Sequence, residues 1–74
     1  MRMNAKKVIV LHVLKILQEE SSKENPITQI QIANKLSAMG IHCDRKTVGR
    51  NIECLIQFGY HIIKLTAGGC YLEK

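Results

Sequence analysis

The stretch CDRKTVGRNIECLIQFGY, residues 43–60, decides the fold. Asp44 stands where a helix N-cap stands, its carboxylate placed to accept the free amides of Lys46 or Thr47. Behind it Val48, Ile52, Leu55 and Ile56 recur at helical spacing, and Gly59 closes the segment. A helix is therefore expected over about 45–58. With Val48 and Ile52 given to the core, Arg45, Lys46, Thr47, Gly49, Arg50 and Asn51 are left facing outward. Gly49 is the odd member: an exposed mid-helix glycine costs about 1 kcal/mol relative to alanine. Either drift left it there or something passes too close for a β-carbon.

Upstream, Ile41, His42 and Cys43 make a tight connection to a preceding helix, with Ile41 expected to plug the core. That helix, about 29–39, opens on T-Q-I-Q from Thr28, the Ser/Thr-x-x-Glu/Gln pattern of a capping box, and ends at Gly40 in a left-handed cap. Ile32, Ala33, Leu36 and Met39 form its expected buried stripe, with Ile30 off the stripe. Before it, SSKENP turns the chain, because Asn25 ahead of Pro26 is pushed out of the helical region, and Ile27 forms a short extended segment. The first helix is AKKVIVLHVLKILQEE, about 5–20, free of Gly and Pro. Val10, Val13, Leu14 and Leu17 gather on one side of it, with Ile9 and Ile16 at the margin. Val8 and Leu11 form a second, smaller apolar strip, available to the wing, to a following domain or to a second subunit.

Downstream the period drops toward two: YHIIKL, then TAGG, then CYLEK. This predicts a β-hairpin over about 60–73, with Gly68 and Gly69 free to take positive φ in the turn and Ile62, Leu65, Tyr71 and Leu72 packing one face. The order helix, short strand, helix, turn, helix, hairpin is mainly α with a small β-hairpin: a winged helix-turn-helix, three helices plus a wing, in one domain spanning 1–74.

The totals agree with one small module. Seventy-four residues leave room for a thin core only, and with no Trp, one Phe and two Tyr that core must be aliphatic. Eleven Lys and Arg against six Asp and Glu give a net charge of +5, which favours a polyanionic partner. Three cysteines, Cys43, Cys54 and Cys70, are odd in number and far apart, and the N-terminus has no long apolar stretch with a cleavage site, so reduced thiols in a cytoplasmic protein are expected. The longest apolar run is interrupted by His12 and Lys15, which excludes a membrane-spanning helix.

In a helix-turn-helix the second helix enters the major groove and its N-terminal residues reach base edges. The outward residues have the chemistry to do so, since Arg donates two bonds to guanine, Asn pairs with adenine, and Thr bonds phosphate or touches a thymine methyl. Thr28, Gln29 and the amides at the start of helix two could hold a backbone phosphate, although Thr28 and Gln31 are expected first to satisfy each other as a capping box. Lys64 and Thr66 sit at the wing, where a single charge implies a modest contribution.

At this point the residues resemble a family. PITQIQIANKL (26–36), IHCDRKTVGRNIECL (41–55), GYHI (59–62) and GGCYL (68–72) are similar to the N-terminal winged-helix domain of bacterial WYL-domain transcriptional regulators, also grouped with DeoR-like regulators. The likeness runs from about Val8 to Leu72, and its most specific part is D-R-K-T-V-x-R-x-I-x-x-L with the following G-Y and the late Y-L. It implies sequence-selective binding of double-stranded DNA for transcription control, with Arg45, Lys46, Thr47 and Arg50 as recognition-helix contacts. In that family a larger C-terminal effector-sensing region normally follows. Two positions depart: the family usually has a bulky or polar residue, often Tyr, in place of Gly49, and Asp in place of Asn51. The family's base preference therefore does not carry over at 49, and Asn51 removes a negative charge beside DNA.

Other classes have less behind them. A winged helix can bind proteins or dimerise without DNA, and the Val8/Leu11 strip would serve that, but the basic face of the third helix would then have no purpose. His42, Cys43, Cys54, His61 and Cys70 lack the close spacing of a structural zinc motif, and Cys54 lies on the flank of the buried stripe, so buried or idle thiols and no metal or other cofactor are expected. The chain has no acid pair, phosphate loop or nucleophile with an adjacent base, so it is not expected to be an enzyme.

Overall fold

The computed structural model describes residues 5–73, with side-chain surroundings from Ile9 onward. Helix α1 covers Ala5–Glu20, strand β1 Ile27–Thr28, helix α2 Gln29–Ala38, helix α3 Arg45–Phe58, strand β2 Ile62–Lys64 and strand β3 Gly69–Leu72. Three helices thus pack with a three-stranded antiparallel sheet of order β1-β3-β2.

The helix α1 buries Ile9, Val13, Ile16 and Leu17, spaced i, i+4, i+7 and i+8, while Val10 and Leu14 are only half-buried. The stripe is thus rotated from the expected one, because Val10 and Leu14 line a groove between α1 and α3 that is open on one side. Buried Ser21 ends the helix: its hydroxyl donates to Leu17 O (2.6 Å) and accepts from Leu72 N–H (3.1 Å), tying the helix terminus to β3.

The capping box at α2 is present in both directions, Gln31 N–H to Thr28 Oγ1 at 3.1 Å and Thr28 N–H to Gln31 Oε1 at 2.9 Å. The helix closes with Gly40 at φ +86°, where Gly40 N–H reaches Ser37 O and Ile41 N–H reaches Leu36 O. That paired 5→2 and 6→1 arrangement needs a left-handed residue, which is why glycine stands there. Ile41 follows half-buried against the core, as expected. Met39 departs from expectation at 50% exposure: it is the C-cap, with φ −90° and ψ 3°, and the helical period no longer carries it inward. Ile30 is exposed, as its place off the stripe implied.

Asp44 caps α3 through Thr47 N–H (2.8 Å), and Val48, Ile52 and Leu55 are buried with Ile56 half-buried. Cys54 is exposed, on the flank of the buried stripe, where it lines the α1–α3 groove. In the hairpin only Gly68 has positive φ, +103°. Gly69 has a different reason for lacking a side chain: a β-carbon there would stand 3.1 Å from Pro26 Cβ. β3 is the central strand, pairing Ile27 with Cys70 on one side and Ile62 with Leu72 on the other, so Cys70, Tyr71 and Leu72 are all buried instead of alternating. Leu65, expected to pack, is 38% exposed at the turn. Among the described residues no helix is long and apolar enough to cross a membrane.

Candidate nucleic-acid interface

The site is built on the first two turns of α3. Arg45, Lys46 and Arg50 are exposed, and none of them is in an ion pair among the described residues. The acid nearest to them in sequence, Asp44, is occupied as the cap. The Thr47 N–H bond holds its carboxyl below the ordinary aspartate value, helped by the Thr47 side chain and by the charges of Lys46 and Arg50. The helix therefore presents three cations at its start.

Thr47, Gly49 and Asn51 are half-buried rather than fully outward. The Asn51 amide folds back along its own helix and donates to Thr47 O at 2.7 Å. Gly49 has an explanation inside the protein. The side chain of Gln29, at the first turn of α2, crosses directly over it and donates from Nε2 to Arg45 O at 2.9 Å. A β-carbon at 49 would lie well inside van der Waals contact of that amide nitrogen and 3.4 Å from its Cδ. The close approach anticipated as one explanation of the glycine is thus a contact between α2 and α3, which fixes how the second helix leans on the first.

Gln29 also lines a cleft of about 100 Å³ with Ile52, Lys64 and Gly68, so the start of α2, the flank of α3 and the hairpin turn meet around one amide. Thr28 is held by Gln31 in the capping box. Lys64 is not free: its ammonium pairs with Glu53 Oε1 on α3, both side chains remaining about half exposed. Thr66 is exposed in the hairpin turn. The sequence reading missed Glu53, although its signal was available: three residues after Arg50, it shares that residue's face of the helix.

The other notable surface is apolar. Leu11, 53% exposed, and Phe58, 83% exposed, flank a groove of about 220 Å³ between α1 and α3, with Leu14 and Cys54 along it. The Phe58 and Tyr60 rings stack with centroids 6.3 Å apart at 19°. The Val8 side chain lies outside the described residues, so of the Val8/Leu11 strip only Leu11 is placed. Among the described residues no three His, Cys, Asp or Glu side chains gather as a metal site would require. Cys70 is buried, its Sγ 3.4 Å from Ile27 O, and burial pushes its thiol up.

No family model, curated protein or solved structure matches this chain.

Proposed function

We propose that this chain is a winged helix-turn-helix module that binds double-stranded DNA sequence-selectively, as the DNA-binding part of a cytoplasmic transcriptional regulator of the WYL type, without catalysis. One observation carries the reading: Arg45, Lys46 and Arg50 stand exposed on the first two turns of α3, in no ion pair among the described residues. A helix held by an Asp44 cap, a Gln29 strut and a buried Val48/Ile52/Leu55 face is a rigid carrier for such groups. The test is duplex binding across a salt series. Affinity should fall with salt at a log–log slope of about −0.9 per neutralised phosphate, and Arg50→Ala should bind more weakly. Equal affinity of wild type and Arg50→Ala at low and high salt would sink the reading.

A second reading has its own observation. The Leu11/Phe58 groove is the kind of apolar surface that takes a protein, whether a second copy or a following effector-sensing domain. Sedimentation over a range of concentrations, with Phe58→Ser as the control, tests self-association. A mass that stays monomeric and a chain indifferent to all duplexes would leave a different protein partner as the function.

A further inference from the structure

Resting on the DNA-binding reading, the hydrogen-bond chemistry of the interface narrows what it can read. Every exposed charged side chain at the start of α3 is donor-only: guanidinium and ammonium carry N–H groups and no acceptor. The neighbouring amides are half-buried and held to the protein through their N–H groups, each keeping its carbonyl oxygen as a free acceptor among the described residues. Asn51 lies along its helix on Thr47 O, and Gln29 spans to Arg45 O. The Thr47 backbone N–H is bound to Asp44 Oδ1, and Glu53 Oε1 is paired with Lys64.

In the major groove adenine shows one acceptor and one donor, and reading it takes an amide that offers both an N–H and a C=O in one plane. Asn51 is the one such amide on the first two turns of α3, and it is half-buried with one of its two N–H donors committed to Thr47 O. Cytosine shows a donor and requires an acceptor, which the half-buried Asn51, Gln29 and Thr47 side chains carry and the exposed cations do not. Guanine alone shows two adjacent acceptors, N7 and O6, which is what a donor-only side chain matches.

We infer that this interface selects guanine, with Lys46 and Arg50 as the specificity-determining residues. The two are four residues apart on one face of α3, about 6 Å along the helix axis. Stacked base pairs are about 3.4 Å apart, so the two guanines addressed lie within about two steps of each other.

The experiment is selection of bound duplexes from a random pool with the wild-type chain. Binding to the selected duplex is then measured with 7-deazaguanine, which lacks the N7 acceptor, placed at each guanine in turn, and selection is repeated with Lys46→Ala and Arg50→Ala. The expected motif holds two guanines within about two steps. Each deaza substitution removes one of the pair's two acceptors and should weaken wild-type binding several-fold, up to the roughly 150-fold limit for loss of a whole bidentate pair. Each variant should lose preference at one guanine and keep it at the other. A motif without such guanines, or deaza duplexes bound as tightly as their parents, overturns the inference while DNA binding stands. If no duplex is bound at any salt, the DNA-binding reading falls and the inference falls with it.

Discussion

The side-chain amide of Gln29 occupies the space in which a β-carbon of residue 49 would stand, and its hydrogen bond to Arg45 O holds it there. Glycine and glutamine are therefore one device. Gly49→Ala alone gains about 1 kcal/mol of helix propensity but displaces the amide and its bond, worth roughly 0.5–1.5 kcal/mol, so the net change is expected near zero. In a Gln29→Ala background nothing is displaced, and the same substitution should stabilise by about 1 kcal/mol. Denaturant unfolding of the four proteins in a double-mutant cycle measures this. An identical effect of Gly49→Ala in both backgrounds would show that the two residues are uncoupled.

Ser21 looks like a linker residue in the run SSKENP, yet its hydroxyl is the link between Leu17 O and Leu72 N–H and is buried at 6% exposure. Ser21→Ala leaves a buried N–H of β3 without its partner, a loss of roughly 1–3 kcal/mol. Unfolding midpoints check the magnitude, and amide exchange locates it: the Leu72 amide should lose protection more than those of Val48 and Ile52. Uniform loss along the chain would point to a general packing defect instead.

Acid should loosen the start of α3 through Asp44. Its folded carboxyl is held low, first by the Thr47 N–H. A carboxyl depressed on folding contributes stability that is present above the unfolded value, about 4. That contribution is lost as pH falls through the lower folded value. Asp44→Asn keeps a cap without the charge. Thermal melts at falling pH should show a shallower acid limb for Asp44→Asn than for wild type. Parallel limbs in the two proteins would remove Asp44 from the account of acid sensitivity.

Most of the framework was legible in the sequence because it rests on local rules. The bounds of α1 and α3, the Thr28 box, the Asp44 cap and the glycine stops at 40 and 59 all follow from neighbours within five residues. What escaped was long-range. Gln29 over Gly49, Lys64 on Glu53 and Ser21 on Leu72 join residues that only the packed fold brings together. Met39 went wrong for a related reason: a helical wheel gives direction but not where the neighbouring element stops covering it. For the candidate site, residue type was readable, but which side chains were already spoken for was not. Among the described residues Arg45, Lys46 and Arg50 are in no ion pair, while Asn51 and Lys64 have partners within the chain.

The pairing of Lys64 with Glu53 makes the hairpin's contribution to DNA binding conditional. In the wild type the ammonium is neutralised by a carboxylate that also shares the Arg50 face of α3, so Lys64→Ala should change affinity little. Glu53→Gln removes the partner and one negative charge near the phosphates at the same time. Duplex binding should then tighten at low salt, and the log–log salt slope should steepen by about 0.9 as one more phosphate is neutralised. Adding Lys64→Ala to Glu53→Gln should return the slope toward its original value while keeping the gain that comes from losing the acid. Fluorescence anisotropy of the four proteins over a salt series separates the two parts, and a slope unchanged by Glu53→Gln would mean that the freed Lys64 does not reach the duplex.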